Sequence, residues 1–147
     1  MFFVVTEFSA TAGAQAARPQ TQAASVETLF SFAGGKGGSA PVGGLAALNG
    51  KLYGATAAAG GVGKVGTAFA FDPATNGLEI LHAFRDVRDG EQPYAGPIGF
   101  NDMLYGTTFQ GGAVGFGTLY RIDPASGQLR TLHSSPARTM AAIPKAN

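Results

Sequence analysis

The chain has 147 residues and a formal net charge of +1, which allows one domain and at most the start of a second. Only 13% of the residues are charged and 45% are hydrophobic, so a disordered polyelectrolyte is excluded and a buried core is expected. Nucleic acid is a poor partner because the sequence has no cluster of basic residues. The absence of cysteine excludes disulfides and thiolate chemistry, and no apolar run approaches the length of a membrane span.

Residues 1–25 are interpreted as a disordered arm or the remnant of an export signal. Residues 9–25 are mostly small or polar, and Ala12-Gly13-Ala14 and Ala14-Gln15-Ala16 fit the small-x-small pattern of signal-peptide cleavage sites. A basic amino-terminal region is missing, and Glu7 interrupts the only early apolar run. Both interpretations remain open, and neither gives this segment a place in the fold.

The rest of the chain repeats itself with a period near 50 residues. Residues 60–84 align without a gap with residues 111–135, and 10 of these 25 positions are identical. Residues 52–56 recur at 104–108, and residues 27–32 resemble 79–84. A period of about 50 residues is typical of blade-forming β-repeats. We therefore assign residues 26–135 to two tandem repeats and residues 136–147 to a divergent tail.

Four short strands are predicted in the first repeat. They span about 43–48, 51–56, 65–71 and 78–84, while 27–32 resembles the last strand of a missing preceding repeat. Asn49-Gly50 and Asn101-Asp102 have the composition of two-residue hairpin turns. Asn76 and Gly127 close the Asp-Pro turns at positions that favour the left-handed conformation. The sequence predicts an all-β fold of two four-stranded antiparallel, blade-like repeats of a partial β-propeller.

The repeated pattern resembles the GloVer tandem-repeat family. It consists of Leu-Tyr-Gly-x-Thr, Gly-Gly, Gly-Thr-x-aromatic followed by Asp-Pro, and Leu-His, over residues 26–135. The resemblance implies an exported or surface-attached bacterial repeat protein of β-propeller type and brings no catalytic residues. Ser135 replaces the Phe found at positions 32 and 84, and residues 136–147 leave the pattern, as expected for a short or truncated member.

Two repeats leave apolar faces to cover. Stacked repeats usually need about three or more copies to bury a continuous core. We expect Phe69, Phe71 and Tyr120 to be exposed on the outer faces. The chain is then expected either to self-associate through open blade edges into a larger ring or to be only marginally stable as a monomer. Light scattering at micromolar concentration tests this, and a sharply melting monomer would count against it.

Several motifs could carry chemistry, and each has a structural alternative that we favour. Residues 61–66 match G-x-G-x-x-G by letter, but a strand and not a helix follows. His82 and His133 occupy one repeat position, where the third copy has Phe30, which favours ring packing. The loop with Asp86, Asp89 and Glu91 matches no calcium-binding spacing and is interpreted as a solvated turn.

Tyr53, Thr56, Tyr105 and Thr108 are the candidate ligand contacts. Paired Tyr and Thr can stack on a sugar ring and hydrogen-bond its hydroxyl groups, although aromatic residues on strands more often belong to the core. We expect no catalytic residue, no cofactor and no metal ion.

Two functions remain open at this stage. The first is a non-enzymatic, secreted or cell-surface repeat module that serves as a scaffold for binding, with a glycan or surface partner, or for assembly. The alternative is a fragment of a propeller-type carbohydrate-active lyase or hydrolase. Active sites of that kind break repeat symmetry, whereas both histidines here obey it.

Overall fold

The chain forms two antiparallel β-meanders that pack face to face. The structure, a computed structural model, describes residues 26–60, 63–85 and 88–134. The predicted arm, the divergent tail, Gly61, Asp86 and Ser135 lie outside the described residues. The first sheet has the strand order β1-β2-β3-β4 and the second has β5-β6-β7-β8. The strands are β1 Ser39–Leu48, β2 Lys51–Ala58, β3 Thr67–Asp72, β4 Gly77–Ala83, β5 Ile98–Phe100, β6 Met103–Thr107, β7 Thr118–Ile122 and β8 Leu129–Ser134.

The predicted turns are confirmed in both sheets. Asn49 and Gly50 have φ values of 49° and 75°, and Asn101 and Asp102 have 47° and 57°, as a tight hairpin with two left-handed residues requires. In the Asp-Pro turn, the backbone N–H of Ala125 donates to the Asp123 carboxylate, and this bond holds the pKa of Asp123 below its usual value.

The glycine of each Leu-Tyr-Gly segment leaves room for an aromatic ring on the neighbouring strand. Gly54 pairs with Phe69, and Gly106 pairs with Tyr120. A Cβ at either glycine would collide with the facing ring. The ring therefore lies over bare backbone. This explains why the repeat combines this glycine with an aromatic residue at the paired position of the next strand.

A threonine pair closes the same end of each sheet. The hydroxyl groups of Thr56 and Thr67 are 2.8 Å apart, and those of Thr108 and Thr118 are 2.9 Å apart. In each pair the first hydroxyl also accepts the backbone N–H of the second threonine. All four side chains are buried, so these bonds satisfy groups that water cannot reach.

The core lies between the two sheets. Tyr53, Ala68 and Ala70 of the first sheet face Leu104, Tyr120 and Ile122 of the second, and Phe84 completes the cluster. The rings of Phe84 and Tyr120 have centroids 5.2 Å apart with an interplanar angle of 61°, and both residues are fully buried. This edge-to-face contact is the centre of the joint between the repeats.

The structure corrects three expectations. Residues 27–32 form no strand, because they pack by their side chains and join no hydrogen-bonded ladder. Phe69, Phe71 and Tyr120 are buried and not exposed. The strand predicted from residue 43 begins at Ser39, because a bulge between Val42 and Ala46 allows pairing to continue past two glycines.

Candidate functional site

An apolar groove lies on the outer face of the first sheet. Its volume is about 500 Å³, and part of its wall comes from residues 26–32, which we call the cap segment. Leu52, Phe69, Phe71 and Leu78 line its floor. These are the repeat equivalents of Leu104, Tyr120, Ile122 and Leu129, which pack against the first sheet in the core. The groove therefore lies where a preceding repeat would pack.

The cap segment reproduces one contact that a preceding repeat would make. The rings of Phe32 and Phe69 have centroids 5.1 Å apart at an angle of 55°, close to the geometry of Phe84 on Tyr120. Phe30 contacts Phe32 edge to face, as His82 contacts Phe84. The cap segment thus takes the place of a last strand without its hydrogen bonds, and its rings pack on Phe69 and Phe71, two of the residues expected to be exposed.

The outer face of the second sheet carries a straight row of four side chains. Ile98 pairs with Tyr105, Tyr105 with Arg121, and Arg121 with Arg130, so all four project from the same face. We call these residues the outer row. Ile98 is 66% exposed, and Phe100 and Leu119 on the same face are also exposed.

The first sheet has the equivalent row in a different environment. Ala46 pairs with Tyr53, Tyr53 with Ala70, and Ala70 with Glu79. Tyr53 and Ala70 are buried against the second sheet. The outer row therefore repeats the positions of a sheet–sheet contact, but with two arginines in place of Ala70 and Glu79.

The four predicted contact residues lie in different surroundings. Tyr53 is 4% exposed and belongs to the core. Thr56 and Thr108 are buried, and both hydroxyls take part in the threonine pairs. Tyr105 alone of the four is half-exposed on an outer face. Ligand contact stays a prediction, and Tyr105 is the position where this arrangement leaves a ring within reach of a ligand.

The Tyr120 hydroxyl is buried with no hydrogen-bond partner among the described residues. Burial raises the pKa of this phenol well above its ordinary value of 10.0, because the charged form would be poorly solvated. The first repeat has Phe69 at the equivalent position, so the packing needs the ring and not the hydroxyl.

Comparison with known proteins identifies the repeat. The profile of the Gloeobacter/Verrucomicrobia repeat matches residues 2–147, nearly the whole chain. The chain belongs to this family. The match confirms the resemblance to the GloVer repeat, and no curated protein matches the chain. The part of this Gloeobacter/Verrucomicrobia repeat protein that the structure describes contains no helix of the length and apolarity needed to cross a membrane.

The histidines of this family member have unequal surroundings. Nε2 of His82 is 2.9 Å from Oδ2 of Asp89, and the two side chains are each 20% exposed. This bond ties β4 to the linker that enters the second sheet. The equivalent His133 is exposed. Across residues 26–60, 63–85 and 88–134, no three His, Asp or Glu side chains are placed to hold a metal ion.

The sequence places Arg121 and Arg130 where the first repeat has Ala70 and Glu79, but it does not show that the two arginines lie opposite each other. Their juxtaposition depends on the pairing of β7 with β8, where a bulge at Leu132 shifts the register by one residue. The bulge at Leu81 in the first sheet is equivalent, but neither could be located from sequence alone.

Proposed function

We propose that this chain is a non-enzymatic, exported repeat module that acts as a scaffold, and that the outer face of the second sheet is its binding surface. One observation carries the proposal. That face uses the repeat positions of a buried sheet–sheet contact, yet it presents exposed apolar side chains and two arginines. Aromatic residues and arginine are enriched at protein interfaces, which supports a surface made for a partner.

The use of the polar residues supports a role without catalysis. The buried threonine hydroxyls are engaged in cross-strand pairs, and His82 is held by Asp89 in a link between the sheets. Each of these groups therefore has a structural task. Groups that activate a substrate would instead be directed into a site that a substrate can enter.

Export rests on the small-x-small sequences at residues 12–16, which resemble cleavage sites. The test is to produce the full chain with a carboxy-terminal tag in a bacterium and to measure the mass of the protein outside the cytoplasm. The proposal predicts a product shortened near Ala14 or Ala16. A full-length product confined to the cytoplasm would contradict export.

The non-enzymatic role is tested on the same purified protein. Neutral and acidic polysaccharides are incubated with it, and new reducing ends and unsaturated ends are measured. The proposal predicts retention of the protein on at least one polysaccharide or cell-surface fraction without turnover. Release of sugar ends proportional to protein concentration would favour the lyase or hydrolase alternative.

A further inference from the structure

The outer row places two like charges directly opposite each other. Arg121 and Arg130 pair on adjacent strands, where like charges destabilise a sheet. In the first sheet the same positions hold Ala70 and Glu79, and Glu79 forms an ion pair with Lys51 at 3.8 Å. Among the described residues, neither arginine of the outer row takes part in an ion pair. An anion between the two guanidinium groups would reverse this unfavourable interaction.

The row also has an aromatic end. Tyr105 is directly opposite Arg121, and the ring of Phe100 lies 6.4 Å from that of Tyr105. Neighbouring strands are about 4.8 Å apart, so the row presents one half-exposed ring and then two cations at regular spacing along a line of about 10 Å. A ligand that fits this pattern is linear, has flat apolar ring faces and carries negative charges at regular intervals.

We propose that the outer row binds an acidic, carboxylate-bearing polysaccharide, with Tyr105 against a sugar ring and Arg121 and Arg130 on successive carboxylates. Guanidinium groups bind carboxylates through two parallel hydrogen bonds, and an aromatic face packs on the apolar face of a sugar ring. This inference rests on the proposed binding function and names its ligand class. An acidic peptide offers the same charges without the ring, and the sugar is favoured because the aromatic end lies in line with the arginines.

The test measures binding of polygalacturonate oligomers by isothermal titration calorimetry in low salt. The variant Arg121→Ala/Arg130→Ala removes both cations of the row. The matched control Arg85→Ala/Arg88→Ala removes the same charge from two exposed arginines that lie outside the row. Circular dichroism melting checks that all variants fold. Polyglutamate and a neutral galactan are the comparison ligands.

We expect the row variant to bind polygalacturonate about tenfold or more weakly and the control variant to change affinity by less than about threefold. Tyr105→Ala should weaken polygalacturonate binding, while Tyr105→Phe should preserve it. Polyglutamate should bind more weakly than polygalacturonate, and the neutral galactan should not bind.

Three results would overturn the inference. In the first, the wild-type protein does not bind polygalacturonate. In the second, the row and control variants lose the same affinity for polygalacturonate. In the third, polyglutamate binds as tightly as polygalacturonate and Tyr105→Ala has no effect. If the inference is overturned, the proposed scaffold function still holds provided that the protein is retained on another polysaccharide or a cell-surface fraction without turnover. Cleavage of polygalacturonate would instead contradict the proposed function itself.

Discussion

Single residues with positive φ hold the hairpins of both sheets. Asn76 has a φ of 55° and its counterpart Gly127 has 67°, so both repeats need the left-handed conformation at this position. Asparagine and glycine reach it at little cost, whereas other side chains with a Cβ are penalised by about 1–2 kcal/mol. The exchange of Asn for Gly between repeats is therefore conservative in backbone terms although the side chains differ.

Asn76→Ala is expected to lower the free energy of unfolding by about 1 kcal/mol, because the left-handed conformation brings the Cβ of alanine too close to the backbone and alanine has no polar side chain to offset this. Asn76→Gly is the control, and it should stay within about 0.5 kcal/mol of the wild type. Urea denaturation followed by circular dichroism measures both. Equal stability of the Ala and Gly variants would mean that the turn does not impose this conformation.

The buried phenol of Tyr120 gives the second prediction at this scale. Tyr120→Phe should raise the free energy of unfolding at neutral pH by about 1 kcal/mol, because the hydroxyl has no partner among the described residues. Phe69 already fills the equivalent position in the first repeat. A loss of stability on removing the hydroxyl would reveal a partner for it.

The same variant should change the response to alkaline pH. The pKa of Tyr120 is raised in the folded state, so the unfolded chain loses this proton first, above its ordinary pKa of 10.0. Stability is therefore fully present below pH 10 and falls as the pH rises, by at most about 1.4 kcal/mol per pH unit for this one proton. The free energy of unfolding, measured by denaturation at pH 9 and at pH 11, should differ less between the two pH values for Tyr120→Phe than for the wild type.

At the scale of the elements, hairpins could be predicted from sequence because their causes are local. The turn between β3 and β4 needs only Asp72, Pro73 and Asn76 in order, and Asn49-Gly50 fixes the turn between β1 and β2. The cap segment could not be predicted in the same way. Its apolar pattern matches β4, but its structure depends on whether a partner strand exists to bond with it.

The interface between the sheets also depends on contacts between residues that are far apart in sequence. Phe84 follows β4 and Tyr120 lies on β7, and only the packing of the two sheets brings their rings together. The cap segment forms the matching contact through Phe32, but that side chain is only partly buried. Equivalent positions in the repeat are thus buried to different degrees.

Phe84→Ala should lower the free energy of unfolding by about 3 kcal/mol or more, because it leaves a cavity at the centre of the core. Phe32→Ala, at the equivalent position of the cap segment, should cost less than half as much, since its ring is only partly buried. Chemical denaturation of the two variants under one condition gives the comparison. Equal losses would show that the cap segment is as tightly packed as the inter-sheet core.

The whole molecule is a short stack with two different ends. The cap segment covers the outer face of the first sheet, whereas on the second sheet the outer row remains open among the described residues. Arg121 and Arg130 make the outer face of the second sheet more polar than that of the first. Phe69 is buried beside the cap segment and Tyr120 is buried between the two sheets, so neither burial followed from the count of repeats alone. Self-association stays a prediction, with Ile98, Phe100 and Leu119 as its exposed apolar residues.

The central claim is that equivalent residues of the two repeats form equivalent contacts, with sheet packing on sheet through one aromatic pair. Nuclear Overhauser spectroscopy on protein with labelled Phe and Tyr rings tests it most directly. We predict ring-to-ring contacts between Phe84 and Tyr120 and between Phe32 and Phe69, both persisting on dilution. Loss of the Phe84–Tyr120 contact on dilution, or its absence in a folded protein, would contradict the account.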